Sequence, residues 1–229
     1  MINKSRLLLF ILTCLVLWKL FSFLPSQQDE KSIPLAEEKV STSKPSIVPL
    51  RVDVFYETLC PDSRSFFIRQ LLPTYEKSPE LLDISLIPYG KASTQQEASG
   101  KYLFNCQHGP TECHGNKVHA CAVESVAPSD LLLRYTTCMI SDNSDPDEAG
   151  RKCANSLGIE WEPIKKCTHS EEGDKLLAQH GESTKRLHPK VAFIPTIRVN
   201  EELDGQPALL KDLFKELCSR FKETPQACL

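Results

Sequence analysis

One junction limits the folds open to this chain. Arg51 to Tyr56 is a β-branched and aromatic run that reads as a strand. It leads to Cys60-Pro61, and beyond the proline Phe66, Phe67, Leu71 and Leu72 recur at roughly helical spacing. Pro61 suits the first helical position, where its missing N–H costs nothing and its fixed φ fits the helix. Leu81 to Ile87 is a second strand, halted by Pro88-Tyr89-Gly90. Strand, helix, strand at this spacing is a βαβ unit, whose parallel pairing requires a right-handed crossover. The same junction sets the chemistry. The sulfur of Cys60 sits over a helix N-terminus, where partial positive charge favours a thiolate. Ser63 occupies the fourth position of Cys60-Pro61-Asp62-Ser63, where a dithiol redox site carries its second cysteine.

Cysteine usage places that sulfur in an oxidising compartment. The chain has ten cysteines in 229 residues, many for its size. Residues 1–24 read as a targeting segment: basic Lys4 and Arg6, then the apolar run Leu7 to Trp18. The length fits a signal peptide, although Leu20 to Leu24 extends the run past Lys19 and leaves a signal anchor open. Setting aside Cys14 within it, nine cysteines remain, an odd number. If eight pair, one thiol is left, and Cys60 is the natural candidate. The alternative is that Cys60 is bridged and another cysteine is free or intermolecular. Net charge is −3, with no aromatic-rich basic patch, which argues against a nucleic-acid partner.

Residues 25–49 are polar, charged and punctuated by proline, and read as a flexible linker. The domain spans 50–229. The helix after Cys60 is expected to reach about Tyr75, with Pro73 bending or ending it. Residues 91–168 break the strand–helix rhythm and hold six of the cysteines. Helical stretches at Val118–Val126, Ser129–Met139 and Glu148–Leu157 suggest a disulfide-stapled helical insertion. The acidic run Asp142 to Asp147 reads as a solvated turn, because it lacks the glycine and terminal glutamate of a calcium loop. Glu171 to His180 is a further helix. Ile194-Pro195-Thr196 then opens a strand with Ile197 and Val199 alternating, and proline is tolerated at a strand's first residue, there with a cis bond open to it. A turn at Glu201–Gly205 points to a short edge strand. An amphipathic helix from Leu209 to Phe221 closes the domain, with Cys218 and Cys228 stapling the tail.

A cysteine at a strand–helix junction, with a strand-opening proline far downstream, resembles the thioredoxin-like fold. The resemblance implies an α/β class with a βαβ…ββα core around the insertion. It also implies that Pro195 faces Cys60, with Ile194 and Thr196 positioning substrate backbone. A longer motif is more specific. Cys106-Gln107-His108-Gly109, Glu112-Cys113, Asn116 and Cys121 fall at the spacing Cys-Gln-His-Gly-x2-Glu-Cys-x2-Asn-x4-Cys. This is similar to the signature of the gamma-interferon-inducible lysosomal thiol reductase family, and the resemblance extends over about residues 50–221. The family reduces protein disulfides in acidic endosomes and lysosomes through a Cys-x-x-Cys site. Cys106, Cys113 and Cys121 are expected to form disulfides that hold His108 and Asn116 in a loop near the active helix. A zinc reading of these cysteines with His108, His114 and His119 fits no common finger spacing, and neither metal nor organic cofactor is expected. His108 reads as a structural hydrogen-bonder, with an acid–base role toward Cys60 as the alternative.

Ser63 is the departure from the family pattern. A serine hydroxyl forms no sulfur–sulfur bond, so it cannot release a mixed disulfide from Cys60. It is expected instead to hydrogen-bond the thiolate, while Asp62 opposes the thiolate by like-charge repulsion. The resulting expectation is a thiol–disulfide oxidoreductase of the secretory pathway, secreted or lysosomal, with Cys60 as nucleophile. Its clients would be disulfide-containing proteins or peptides, and a small thiol would resolve the intermediate. Contact with membrane is expected only if the N-terminal segment stays uncleaved. The rival is a non-catalytic thioredoxin-like module that holds cysteine-containing clients, and a third reading is an isomerase.

Overall fold

The computed structural model describes residues 47–229. The expected targeting segment at 1–24, and nearly all of the expected linker at 25–49, lie outside these residues. Among the described residues no helix is long and apolar enough to cross a membrane.

Strand β1 (Leu50–Tyr56) is buried at every position except Arg51. It is the middle strand of three, parallel to β2 (Leu82–Pro88) and antiparallel to β5 (Thr196–Val199), in the order β2-β1-β5. Apolar side chains on both faces are what a central strand needs when helices cover it. Asp53 is the exception within β1. It lies directly across from Arg198 in the register, and the two form an ion pair that Arg51 joins at 3.1 Å. A buried carboxylate is tolerated there because two guanidinium groups satisfy it.

The crossover from β1 to β2 is a helical run in three parts: α1 (Pro61–Phe66), a π turn (Phe67–Leu71) and α2 (Leu72–Lys77). Pro73 does not end it. Proline lacks the N–H that an α-helix would bond four residues back, and the chain widens into the π turn just before it. Phe66, Phe67 and Leu71 are buried against Val52, Val54 and Tyr56. The closing helix is also divided. α8 (Gln206–Lys211) and α9 (Leu213–Ser219) meet at Asp212, whose carboxylate caps α9 by accepting from the N–H of Lys215. Leu209, Leu213 and Leu217 complete the same core. The edge strand expected after Val199 shrinks to a single bridge between Val199 and Glu202.

The insertion opens with a hairpin, β3 (Ser93–Gln96) and β4 (Tyr102–Asn105), which the sequence does not announce. Ser93-Thr94-Gln95-Gln96 has no apolar alternation to reveal it. Five helices follow: α3 (Pro110–Ser125), α4 (Ser129–Ser141), α5 (Pro146–Leu157), α6 (Trp161–Thr168) and α7 (Glu171–Lys185). They have a core of their own around Val118, Tyr135, Met139, Trp161 and Ile164. Helix α3 begins eight residues before the predicted Val118, so Asn116 lies on a helix and not in the expected loop. Its N-cap, Gly109, has φ +83°, a left-handed value that glycine adopts without a Cβ penalty.

Disulfides join Cys106 to Cys113, Cys121 to Cys167, Cys138 to Cys153 and Cys218 to Cys228. The Cys121–Cys167 bridge closes a sequence separation of 46 residues, the longest of the four. Removing it by Cys121→Ser with Cys167→Ser is expected to cost about 2–4 kcal/mol, because the unfolded chain regains loop entropy. The urea midpoint measures this, and an unchanged midpoint would contradict it.

Candidate active site

Cys60 is the N-cap residue of α1, in extended backbone (φ −67°, ψ 122°) with Pro61 at the first helical position. Among the described residues it is the one cysteine outside a disulfide. Its thiol is 8 % exposed and donates to the backbone carbonyl of Ile194 at 3.7 Å. The Ile194–Pro195 peptide is cis, and Thr196 opens β5 alongside Phe55 of β1. The fold thus brings Cys60 and the Ile194-Pro195-Thr196 segment together across 134 residues of sequence. Thr196 turns its hydroxyl inward, onto the carbonyl of Phe193 at 2.6 Å. Phe193 itself stays exposed beside them.

The expected hydrogen bond between Ser63 and Cys60 is absent. Ser63 is fully buried under the first turn of α1, and its hydroxyl accepts from the backbone N–H of Glu57 at 3.4 Å. That N–H is buried with its residue and needs a partner, and the Ser63 hydroxyl supplies one. Asp62 is exposed, so solvent screens its charge from the sulfur.

The loop leading to Cys60 is held from the insertion. The Thr58 N–H donates to Asn116 Oδ1 at 3.0 Å, and the Thr58 carbonyl accepts from Asn143 Nδ2 at 3.1 Å. The Thr58 hydroxyl donates to the Glu112 carbonyl at 3.4 Å. Asn143 comes from the segment read as a solvated turn, yet it is buried. Only its residue type, common in turns, is visible in the sequence.

The remaining signature residues gather around Glu57, a position to which the sequence assigns no role. Glu57 is 1 % exposed and accepts from the Lys91 N–H at 2.7 Å. The Gln107 side-chain amide lies 3.2 Å from both Glu57 oxygens, and its nitrogen is assigned to that side because an oxygen there would face only acceptors. His108 Nδ1 lies 2.5 Å from Glu112 Oε2 and 3.7 Å from Glu57 Oε2, and Glu112 Oε1 also accepts from the His108 N–H. Burial pushes the Glu57 carboxyl above its ordinary range, the Lys91 N–H pulls it back, and the nearby Glu112 adds to the rise. Gly90 is required beside it: φ is +61°, and a Cβ there would lie 2.2 Å from the Glu57 side chain. His108 thus meets Glu112 through both its ring and its backbone N–H. Cys106 and Cys113, bridged to each other, close the turn that carries Gln107 and His108. Cys121 binds α3 to Cys167 on α6. With all three signature sulfurs in disulfides, none is a thiolate ligand for zinc.

His119, on the same helix, is wholly buried and shares a hydrogen bond of 2.9 Å with the Tyr56 hydroxyl at the end of β1.

A lone thiol thus sits at a strand–helix junction opposite a cis-proline in a thioredoxin-like fold. The protein is a thiol–disulfide oxidoreductase. The chain belongs to the gamma interferon inducible lysosomal thiol reductase (GILT) family, whose model matches residues 51–157. A gamma-interferon-inducible lysosomal thiol reductase-like protein of Anopheles gambiae is 34 % identical over 192 residues, covering 78 % of this chain and 79 % of the relative. The gamma-interferon-inducible lysosomal thiol reductase of Carassius auratus is 35 % identical over 188 residues, covering 79 % and 72 %. The mouse protein of that name is 31 % identical over 188 residues, covering 80 % and 73 %. Among solved structures, Chlamydia trachomatis DsbA superposes with a TM-score of 0.53 at 14 % identity, over 82 % of this chain and 96 % of that one. Reduced DsbG of Mycobacterium tuberculosis gives 0.52 at 17 % identity, over 80 % and 87 %. At such identities the likeness is one of fold.

Burial lowers the His119 imidazole to about 3, so the folded protein keeps it neutral while the unfolded chain protonates it in the ordinary range. The unfolded state then binds more protons, and this contribution to stability is complete above about pH 6.5 and is lost progressively toward pH 3. At pH 5 the loss amounts to about 2 kcal/mol. Glu57, raised by burial, acts in the opposite sense, adding stability as pH falls through its folded value. In urea titrations at pH 7 and pH 5, His119→Gln should shrink the acid loss by about 2 kcal/mol. An identical pH slope in the two proteins would exclude His119 as its source.

Proposed function

We propose that this protein carries out monothiol disulfide exchange on protein or peptide clients, with Cys60 as nucleophile and Ile194-Pro195-Thr196 as the client-binding edge. The observation that carries the reading is the unpaired Cys60 sulfur lying 3.7 Å from the Ile194 carbonyl, beside a cis-proline. The backbone at that edge can pair with an extended client, as strand-addition sites do, and exposed Phe193 offers an apolar contact next to it.

The Cys60 thiolate attacks a client disulfide, forms a mixed disulfide and releases one client sulfur as a thiolate, which takes a proton from solvent. No second cysteine lies at position 63, so an external small thiol completes the cycle. Its attack on the Cys60 sulfur frees the second client thiol and leaves Cys60 bridged to the small thiol. A second small thiol then attacks that bridge, regenerating Cys60; the two small thiols, having supplied the two electrons that reduced the client, leave as a small-molecule disulfide. Ser63 serves this site by fixing the Glu57 backbone ahead of Cys60.

Residues 1–24 support entry into the secretory pathway, ahead of a linker at 25–49 and the domain at 50–229. The lysosomal names of the relatives support an acidic destination with a role in degradation or host defence. Secretion fits the same segment.

A protein-disulfide reduction assay with an insulin-type substrate, at acidic and neutral pH and with and without small thiol, tests the reading. Wild type should turn over only with small thiol, and Cys60→Ser should fall to background. Ser63→Cys should raise the rate and relax the need for small thiol. Equal activity in wild type and Cys60→Ser would end the enzymatic reading and favour a module that only binds cysteine-containing clients.

A further inference from the structure

We propose that His114, Asp147 and His169 form a Zn2+ site on the insertion, separate from the cysteine chemistry. The three residues come from two helices and the end of a third. His114 lies on α3, Asp147 in the first turn of α5, and His169 is the residue that follows α6. Both imidazoles present Nε2 to the same carboxylate: His114 to Oδ1 and His169 to Oδ2, each at 2.9 Å. The ring centroids are 5.2 Å apart, and the donor atoms of all three residues lie within 4.8 Å of one another.

The donor set fits the ion. Two imidazoles and a carboxylate are first-choice Zn2+ ligands, at about 2.0–2.2 Å each, so donors around a tetrahedral ion stand roughly 3.4 Å apart. The present donor distances, 2.9 Å from each imidazole to the carboxylate and none beyond 4.8 Å, bracket that value. The three side chains are 30 %, 36 % and 51 % exposed, which leaves the fourth position to water. The same ligand types hold Fe2+ elsewhere, but at an exposed nitrogen–oxygen site the general affinity order ranks Zn2+ above Fe2+.

The position gives the site a consequence. His114 is two residues from Asn116 on α3, and Asp147 is four residues from Asn143. Those two asparagines hold the N–H and carbonyl of Thr58 in the loop before Cys60. A metal joining His114 to Asp147 therefore clamps together the two segments that grip the active-site loop. It does not depend on the exchange reaction proposed above.

The test is Zn2+ titration of the metal-stripped full chain by calorimetry, in a Cys60→Ser background so that no free thiol competes. One ion should bind per chain. Second-shell changes alone weaken metal sites about 10–100-fold, so His114→Ala, Asp147→Asn and His169→Ala should each cost about 100-fold or more in affinity. Circular dichroism checks that each variant folds, and His169→Ala removes an exposed side chain outside the helices. Co2+ in place of Zn2+ should give the intense visible absorption of a four-coordinate site and lose it in the same variants. No uptake by the folded parent, weak six-coordinate Co2+ spectra, or binding that survives all three substitutions would overturn the proposal. So would binding abolished by His108→Ala alone, which would put the ion at the Glu57–His108–Glu112 cluster.

Discussion

The Thr58 peptide is the point on which the active end of this molecule depends. The loop from Tyr56 to Pro61 passes through the interior, where backbone N–H and carbonyl groups must find partners or cost free energy. Among the described residues no strand bonds Thr58. Asn116 and Asn143, two side chains from different parts of the insertion, take its N–H and its carbonyl. The position of Cys60, two residues on, follows from that grip. The helical insertion thus holds the loop that leads to Cys60, and disulfides tie its helices to one another.

Beneath the same loop lies a polar pad made by Glu57, Gln107, His108 and Glu112. Two buried carboxylates so close together are tolerated only because donors converge on them: the Lys91 N–H and Gln107 on Glu57, and His108 on Glu112. The signature residues therefore position the loop that leads to Cys60, the one sulfur among the described residues that is outside a disulfide. Ser63 belongs with the positioning group. Its hydroxyl is spent on the Glu57 N–H, which leaves the Cys60 sulfur facing the Ile194 carbonyl.

Much of the scaffold is legible in the sequence. The strand Leu50–Tyr56, the proline-opened helix, the parallel strand Leu82–Pro88 and the late strand after Pro195 each carry their own local pattern. Where local patterning is weak or misleading, the reading slips. The Ser93–Gln96 hairpin strand is too polar to declare itself. Pro73 looks like a helix stop, although a π turn absorbs it. Helix α3 starts early because Gly109 and Pro110 open it well before its apolar residues appear.

The sequence by itself determined the order of the βαβ unit and the late strand, the strand–helix junction at Cys60-Pro61, the odd number of cysteines and the family signature. These are encoded in residue types within a few positions of each other, where helix and strand periodicity and proline's fixed geometry operate. Tertiary structure alone decided which sulfurs pair, what Ser63 bonds, and that Asn143, 85 residues from Thr58, completes the active-site loop. It also decided that His114 and His169 share Asp147. Such contacts depend on how separately formed helices pack against one another, and side chains brought together in that way leave no spacing in the sequence to read.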